Sequence, residues 1–330
     1  MSKASMQLIR GLHNLRDASR GCVLSIGNYD GVHRGHQALL QELRRQSEAT
    51  GLPATVLTFE PTPREYFVPE QAPRRVLTLR DKLDALAAHG VQRVVIAHFD
   101  ARLAACSAEA FISDVISRDL GTKVLVIGDD FRFGTGRRGD FAMLQQHAAS
   151  QGYQLVQAPT LITDSVRCSS TALRAALAAG ELEAAQRLLG RRFAISGRVR
   201  HGKKLARALD MPTANLPLRR LPPLPFGVYA IRASVPGRFD GCEGIASLGV
   251  RPTVGTTPCL LEAHLFDVQA DLYGAEMKVE FLRFEREEQN FASIEALKQQ
   301  MHADAERVKT FFANLNRGTT SQHLEACQRG

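Results

Sequence analysis

Residues 22–36 read Cys-Val-Leu-Ser-Ile-Gly-Asn-Tyr-Asp-Gly-Val-His-Arg-Gly-His, and this stretch decides the fold of the first half of the chain. Its apolar beginning predicts a buried strand at residues 22–27, and the periodicity of residues 35–50 predicts a long helix directly after it. Similar apolar runs predict buried strands at residues 54–59, 91–97, 123–128 and 154–158, with helical stretches such as residues 79–88 between them. This alternation predicts an α/β doubly wound parallel sheet with helices on both faces.

The second half of the chain has a different pattern. Short strands joined by turns rich in Pro and Gly are predicted at residues 193–200, 227–233, 244–248, 260–266 and 277–284, and a long helix at residues 293–316. The pattern favours a β-barrel or a sandwich closed by a helix. Two short Ala-rich helices, at residues 171–179 and 182–189, form the junction. We therefore predict two domains, at residues 1–187 and 188–330.

Composition limits the function. A length of 330 residues fits two domains, and a net charge of +8 favours anionic partners without separating nucleic acids from nucleotides. The six cysteines are scattered and form no C-x-x-C pair, which favours reduced thiols in the cytoplasm and argues against zinc. The first twenty residues lack the apolar segment of a signal peptide, and no apolar run reaches the roughly 18–20 residues of a membrane span, so we expect no membrane partner.

The turn at residues 27–36 has the features of an anion site. Its glycines let backbone amides approach a phosphate, and the helix that follows adds the partial positive charge of its N-terminus. His33 and His36 are three residues apart, so both imidazoles should lie on one face of the first helical turn, where they could stabilise charge on a triphosphate. The alternative is a pair of surface histidines beside a Gly-rich turn. The chain has no P-loop motif, so any ATP site must use other phosphate-binding groups.

Three further segments follow predicted strands or open a predicted helix. They are Thr-Phe-Glu-Pro-Thr-Pro at residues 58–63, Gly-Asp-Asp-Phe-Arg-Phe-Gly at residues 128–134, and Ser-Ser-Thr at residues 169–171. Ligands of parallel sheets bind at the carboxyl ends of strands. Each segment also has a plain interpretation: Ser-Ser-Thr is typical of a helix N-cap, and Asp129-Asp130 of a solvated turn.

The second half carries its own candidates. Seven basic residues between positions 191 and 207 could form a solvated face or bind RNA. In Met-Pro-Thr-Ala-Asn-Leu at residues 211–216, the oxygens of Thr213 and Asn215 are suited to Mg²⁺ held jointly with phosphates, although Pro-Thr-Ala-Asn is also a common turn. Glu262 falls within an apolar strand, where an isolated carboxylate is costly. It is either a catalytic base or the partner of a residue on a neighbouring strand.

In order along the chain, these motifs resemble those of the bifunctional bacterial riboflavin kinase/FAD synthetases, or FMN adenylyltransferases. Residues 27–36 resemble the HxGH motif of nucleotidyltransferases, and residues 212–215 resemble the PTAN motif of riboflavin kinases. The resemblance implies an HxGH nucleotidyltransferase-like domain followed by an antiparallel Greek-key β-barrel with a C-terminal helix. It also implies FMN formation from riboflavin and ATP in the barrel, then FAD and pyrophosphate formation from FMN and ATP in the first domain, each with Mg²⁺.

The resemblance further implies roles for individual residues. The catalytic residues would be Glu262, His33, His36 and Arg174, and the metal ligands Thr213 and Asn215. The ATP-binding residues would be Gly27, Asn28, Asp30, Gly31, Gly35, Ser169, Ser170, Thr171, His201, Gly202, Lys203 and Arg207. The flavin-binding residues would be Pro61, Pro63, Asp129, Asp130, Phe131, Phe133, Arg137, Arg286 and Phe291.

Three positions depart from the family pattern. Ala206 and Asp210 stand where glycine is usual, and Ser247 where asparagine is common, so we expect altered nucleotide affinity in the kinase half. One alternative is therefore a single-activity FMN adenylyltransferase whose barrel binds flavin or regulates. Another is a basic nucleic-acid-binding protein, which would leave His33, His36 and Glu262 without a role. We expect small-molecule partners and no nucleic acid.

Overall fold

The computed structural model describes residues 6–15, 21–159, 161–163, 166–201, 211–250, 259–268 and 270–327, with side chains as far as residue 317. The chain divides into two compact units, one formed by Met1–Leu173 with Leu188–Gly190 and the other by Arg174–Arg187 with Arg191–Gly330. Within the described residues, every helix is too short or too polar to cross a membrane.

A six-stranded parallel sheet organises the first unit. Its strands are β1 (Gln7–Arg10), β2 (Cys22–Ile26), β3 (Ala54–Phe59), β4 (Arg93–Ala97), β5 (Thr122–Ile127) and β6 (Gln154–Gln157). Their spatial order is β1-β4-β3-β2-β5-β6, and all neighbours run parallel. Because β3 and β4 extend the sheet on one side of β2 while β5 and β6 extend it on the other, the order reverses between β2 and β5. Ligands bind at such a switch point, outside the carboxyl ends of the strands.

Helices follow the strands as the sequence predicts. They are α1 (Arg34–Thr50), α2 (Pro63–Phe67), α3 (Leu79–Ala88), α4 (Ala101–Ala104), α5 (Ala108–Ala110), which continues as a π-helix over Phe111–Asp119, α6 (Phe141–Gln151), α7 (Ser170–Ala178) and α8 (Leu182–Leu189). A short hairpin, β7 (Ile162–Thr163) and β8 (Val166–Arg167), precedes α7. Residues of β2, β3 and β5 are buried on both faces. The predicted α/β fold is confirmed.

Two strands at the edges of this sheet differ from the prediction. β1 was not predicted, because its four residues are mostly exposed and carry no apolar run. β6 was predicted to be buried on both faces, but its end residues Gln154 and Gln157 are exposed. β6 is an edge strand, and among the described strands it pairs with β5 alone.

The second unit is a nearly closed antiparallel barrel. Its strands are β9 (Ala194–Arg198), β10 (Ala214–Leu218), β11 (Gly227–Val235), β12 (Phe239–Gly249), β13 (Cys259–Leu265) and β14 (Glu276–Glu287), in the order β10-β13-β12-β11-β14-β9. A bridge between Arg200 and Asn215 joins the two ends of this order. β14 returns to lie beside β11, the first strand of the β11-β12-β13 meander, which is the Greek-key arrangement. This part of the fold prediction is also confirmed.

The C-terminal helix α9 (Ile294–Cys327) covers one face of this sheet. Its residues Ala305, Val308 and Phe312 pack against a cluster that includes Val228 and Ile245. β10 was missing from the predicted strands because it contains a proline, which argues against a central strand but is tolerated at an edge.

Candidate functional site

The turn between β2 and α1, residues 27–36, is called the histidine turn here. Its backbone is tightly coiled, with positive φ angles at Tyr29 (51°), Gly31 (91°) and Val32 (42°). A Cβ on Gly31 would lie 2.7 Å from Leu173 Cδ2, and one on Gly35 would lie 2.8 Å from the Cys168 carbonyl oxygen. The glycines thus let the histidine turn pack directly against the segment that opens α7.

The two histidines of this turn are stacked. Their ring centroids are 3.7 Å apart, with 21° between the planes. His33 is the N-cap of α1 rather than a residue of its first turn, and its Nδ1 accepts a hydrogen bond from the His36 amide at 3.3 Å. The predicted juxtaposition of the imidazoles is therefore present, with His33 one position outside the helix. Because Nδ1 accepts, neutral His33 carries its proton on Nε2.

His36 is held in its neutral form. Burial, followed by the charges of His33 and Lys82, keeps the pKa of His36 well below its ordinary value. Its Nδ1 is shielded from solvent and has no hydrogen-bond partner among the described residues. Tyr29 lies against the ring at 5.0 Å between centroids, and its hydroxyl donates to Ser25 Oγ at 2.7 Å. Near neutral pH, His36 is thus a fixed, uncharged imidazole with one nitrogen lacking a partner.

Asp30 anchors the histidine turn through both of its polar ends. Its carboxylate accepts from the amides of Val76 (3.0 and 3.2 Å) and Leu77 (3.2 Å). Its carbonyl oxygen accepts from Ser170 Oγ at 2.8 Å. Asn28 is held similarly, because its carbonyl accepts from Thr58 Oγ1 at 3.4 Å. These bonds connect the histidine turn to the start of α7 and to the segment before α3.

The start of α7 is capped as the plain interpretation of Ser-Ser-Thr predicts. Ser169 Oγ accepts from the Ala172 amide at 3.1 Å. Thr171 is exposed, and Arg174 follows it by three residues, so the two share one face of the helix. With Ser170 bonded to Asp30 and Gly35 against residue 168, the N-termini of α1 and α7 meet at the switch point. Two helix N-termini that lie this close together favour an anion.

The loop after β5 is tied to the same region by an arginine that the motifs did not single out. Arg167, two residues before Ser169, pairs with Asp129 at 3.0 Å and with Asp130 at 2.9 Å. In the same loop Phe131 stacks on Phe133 with 5.4 Å between centroids, and Phe133 is buried. Arg137 has a positive φ of 57° in the short helical turn that follows. Arg167 could have been noticed as a basic residue close to the Ser-Ser-Thr segment.

Residues 60–67, which we call the proline turn, carry Pro61 and Pro63 at the carboxyl end of β3. The Glu60–Pro61 peptide is cis, and α2 begins at Pro63 with Thr62 as its N-cap. Two aromatic residues follow, Tyr66 (38% exposed) and Phe67 (61% exposed). Both contact Phe99, with 5.4 and 5.7 Å between centroids. The sequence analysis missed this exposed aromatic surface, although adjacent aromatics after a turn at a strand end are a usable signal.

In the second unit, strand register gathers the candidate residues into one row. Glu262 lies opposite Asn215 on one side and opposite Ser247 on the other. Val228 is opposite Ser247, and Arg286 is opposite Val228. Residues paired across strands share a face of the sheet. The five residues therefore cross five strands on the face that α9 covers, with Asn215 at one end and Arg286 at the other.

Asn215 presents a polar atom that the described residues leave unsatisfied. The residue is 6% exposed, and its Nδ2 donates to the Thr213 carbonyl at 3.2 Å, with Thr213 Oγ1 at 3.5 Å. Its Oδ1 is buried without a hydrogen-bond partner. An amide oxygen beside a hydroxyl suits a hard divalent cation. Because the described residues contain no cluster of three His, Cys, Asp or Glu side chains, such a cation would need further oxygen ligands from a bound phosphate.

A pocket of about 590 Å³ opens beside Thr213. Its walls are largely apolar and include Val199, Leu265, Leu272 and Tyr273. The ring of His201 lies 3.7 Å from that of Tyr273. The size is typical of a small-molecule site. Four of the discussed positions, Gly202, Lys203, Ala206 and Arg207, lie outside the described residues, as does Asp210.

At the other end of the row, Arg286 is fixed by a buried carboxylate. Its Nε and Nη2 donate to Asp304 Oδ2 at 2.9 and 2.7 Å, and Asp304 is 1% exposed. Asp304 also accepts from Gln300 at 2.8 Å. The Arg286 guanidinium lies 5.7 Å from the centre of the Phe291 ring. Asp304 was missed because it lies 18 residues from Arg286, on a different element.

Comparison with known proteins assigns a family to each half of the chain. The FAD synthetase family matches residues 15–172, and the riboflavin kinase family matches residues 189–312. A protein of Escherichia coli (strain K12) named bifunctional riboflavin kinase/FMN adenylyltransferase is 48% identical, over 93% of this chain and 98% of its own length. A Pseudomonas fluorescens protein of the same name is 47% identical over the same shares of the two chains.

A solved structure has the same overall fold. It is titled as a macrolide-efflux protein from Streptococcus pneumoniae and is 26% identical to this chain. The two superimpose with a TM-score of 0.78, over 92% of this chain and 99% of the other. The likeness shows that the two chains share a fold.

Proposed function

This chain belongs to the family of bifunctional riboflavin kinases/FMN adenylyltransferases, and we propose from this premise which residues perform each of its two reactions. Membership confirms the family and the function predicted from the sequence. In the second unit, riboflavin and ATP give FMN and ADP. In the first unit, FMN and ATP give FAD and pyrophosphate.

Adenylyl transfer is assigned to the histidine turn and the start of α7. The phosphate of FMN is already anionic, so its attack on the α-phosphorus of ATP needs alignment and charge neutralisation more than a base. The observation that carries the assignment is the meeting of the α1 and α7 N-termini beside the stacked imidazoles. His33 and His36 donate hydrogen bonds to the triphosphate, His36 as a neutral imidazole. Thr171 and Arg174, on one face of α7, bind the phosphates as pyrophosphate leaves.

The flavin of this reaction is assigned to the proline turn and the loop after β5. Tyr66 and Phe67 offer exposed aromatic faces beside Pro61 and Pro63, and an aromatic ring system gains from offset stacking on such faces. Asp129, Asp130 and Phe131 approach from the other side of the switch point. Arg167 holds the two aspartates next to the phosphate-binding start of α7.

Phosphoryl transfer is assigned to the row across the barrel. The terminal ribityl hydroxyl of riboflavin is un-ionised at neutral pH, so its attack on the γ-phosphorus of ATP needs a base. Glu262 is that base, and it stands one strand, or about 4.8 Å, from Asn215. Thr213 and Asn215 would hold Mg²⁺ together with the phosphates, since the buried Oδ1 of Asn215 has no hydrogen-bond partner among the described residues. When bound, Mg²⁺ neutralises charge on the transferring phosphoryl group.

The substrates of the barrel are assigned to the two ends of the row. The pocket beside Thr213, with the ring of His201 tilted against that of Tyr273, suits the base of ATP. Arg286 and Phe291 lie at the far end and contact the flavin ring.

We propose small molecules as the partners of this chain and the cytoplasm as its location. Among the described residues, Cys22, Cys106, Cys168, Cys242 and Cys259 form no disulfide, which suits that reducing compartment.

The experiment incubates the full chain with riboflavin, ATP and Mg²⁺ and separates the flavin products. His36→Ala should stop the sequence at FMN. Glu262→Gln should abolish FMN formation but leave FAD formation from supplied FMN. His147→Ala on α6 and Glu306→Gln on α9 are matched controls outside both sites and should retain both activities.

Three outcomes would count against these assignments. Absence of both FMN and FAD with the unmodified chain would contradict the function itself. Loss of both activities in either site variant would contradict two independent sites. FAD formed from supplied FMN, with none of the riboflavin phosphorylated, would leave a single adenylyltransferase with an inactive barrel.

A further inference from the structure

We infer that Arg75 is a positioning residue of the adenylyl-transfer site, which holds the proline turn in the orientation that FMN requires. The inference rests on the proposed function, because that function places the flavin at residues 60–67. Arg75 lies between α2 and α3 and belongs to none of the sequence motifs. Its side chain is 9% exposed.

The guanidinium of Arg75 forms hydrogen bonds to residues at both ends of the proline turn. Nη1 and Nη2 donate to the two carboxylate oxygens of Glu60, each at 2.7 Å. Nε donates to Glu65 Oε1 at 2.6 Å, and Nη2 also bonds Glu65 Oε2. Glu60 precedes Pro61, and Glu65 lies in α2. A planar, five-donor fork can bind two carboxylates bidentately at once, whereas the three donors of an ammonium group cannot.

Glu65, held by Arg75, in turn fixes the middle of the proline turn by hydrogen bonds. Its Oε2 accepts from the Thr62 amide at 2.9 Å, and the Thr62 hydroxyl caps the Glu65 amide, which completes a capping box. Thr62 stands between Pro61 and Pro63, and Tyr66 directly follows Glu65. The direction in which the turn presents its prolines and aromatic rings therefore depends on where Arg75 holds Glu65.

The segment that follows Arg75 is fixed to the histidine turn. The amides of Val76 and Leu77 donate to the Asp30 carboxylate, and the Asp30 carbonyl accepts from Ser170. Hydrogen bonds and the covalent link from Arg75 to Val76 thus connect the proline turn through Asp30 to the start of α7. These contacts fix the distance between the flavin site and the triphosphate site. The FMN phosphate can attack the α-phosphorus of ATP only if this distance is set.

Arg75 also controls the charge next to two anionic substrates. Burial alone would lower the pKa of Arg75, but the hydrogen bonds to Glu65 and Glu60 raise it above its ordinary value. Lys82, 1% exposed, lies in the field of the same carboxylates. Without Arg75, the negative charge of Glu60 and Glu65 would lie beside the proposed FMN site with much less compensation.

The test compares Arg75→Gln and Arg75→Lys with Arg74→Gln, an exposed neighbour, in the full chain. For Arg75→Gln we expect the KM for FMN in FAD formation to rise roughly tenfold or more, while the KM for ATP stays within about threefold. Arg75→Lys should show most of this rise, because it restores the charge without the fork. Arg74→Gln should behave as the unmodified chain does. Riboflavin phosphorylation by the same preparations should be unchanged in all three.

Equal KM values for FMN in Arg75→Gln and Arg74→Gln would overturn the inference while leaving the proposed function intact. So would a parallel loss of affinity for FMN and ATP, which indicates general damage to the unit. Full rescue by Arg75→Lys would reduce the role of Arg75 to its charge and contradict positioning. If Arg75→Gln fails to fold, Glu60→Gln takes its place. Glu60→Gln weakens the hydrogen bonds that hold one end of the proline turn, and its KM values for FMN and ATP decide in the same way. If the unmodified chain makes no FAD, the proposed function fails instead.

Discussion

Replacing Asn215 by leucine should leave the barrel at least as stable as before and remove its response to nucleotide. Leucine has a similar branched shape at a site that is 6% exposed. The change loses the hydrogen bond from Nδ2 to the Thr213 carbonyl, worth about 1 kcal/mol. It also removes Oδ1, whose burial without a partner among the described residues costs about 1–3 kcal/mol. The sum ranges from no change to a stabilisation of about 2 kcal/mol.

Hydrogen exchange followed by mass spectrometry on peptides from β10 and β13 measures this directly. Without ligand, Asn215→Leu should protect these strands as well as the unmodified chain does. With Mg²⁺ and ADP at about 100 times the dissociation constant, the unmodified barrel should gain about 2.7 kcal/mol, and the variant far less. Thr213→Val is the matched control: it should also weaken the ligand response, but without stabilisation, since it leaves Oδ1 of Asn215 in place.

A loss of more than about 1 kcal/mol by Asn215→Leu in the absence of ligand would refute this reasoning. It would mean that Oδ1 has a stabilising partner and is not reserved for a ligand. An undiminished response of the leucine variant to Mg²⁺ and ADP would refute the assignment of Asn215 to the cation.

Three further outcomes follow from the same geometry. Because the folded state keeps His36 neutral, the unfolded state binds more protons below pH 6.5 and stability falls on acidification. The first unit should lose at most about 1.4 kcal/mol per pH unit there, and urea unfolding should show a flatter dependence for His36→Gln. Gly227→Ala should destabilise the barrel by about 3 kcal/mol, because its Cβ would collide with the Arg286 carbonyl, whereas Gly237→Ala, with open space around it, should lose about 1 kcal/mol in the same unfolding assay. Chelation of Mg²⁺ should stop both FMN and FAD formation in the product assay.

Local patterns in the sequence predict the fold well, because both halves bury apolar runs of clear periodicity. Among the strands that escape, β1 is mostly exposed and carries little apolar signal, whereas β10 is mostly buried but contains a proline that argues against a strand. The pairing of His33 with His36 is predictable because it depends on a spacing of three residues. Local chemistry alone does not reveal that the Asp30 carboxylate is occupied by backbone amides from residues 76 and 77.

Ion pairs between distant segments are the part that the sequence does not reveal. Arg75 lies 10 and 15 residues from its two carboxylates, and Arg167 lies 38 from Asp129. No periodicity connects such positions, because their approach depends on how turns and helices pack around the sheet. Arginines such as Arg75 and Arg167 position the side chains that the motifs identify. A site predicted from motifs alone therefore lacks the residues that hold it in place.

The row of residues across the barrel shows most clearly what the sequence of a single strand does not predict. Alternation along a regular strand places residues two apart on the same face, so Phe284 and Arg286 should point the same way. In the structure the register shifts between Val228 and Tyr229: Tyr229 pairs with Phe284, but Val228 pairs with Arg286. This bulge sends Phe284 towards the Tyr229 ring, 5.1 Å away, and turns Arg286 to the opposite face, where Asp304 fixes it. A one-residue irregularity in β14 thus brings Arg286 into line with Glu262, and because its position depends on strand pairing, it could not be predicted from β14 alone.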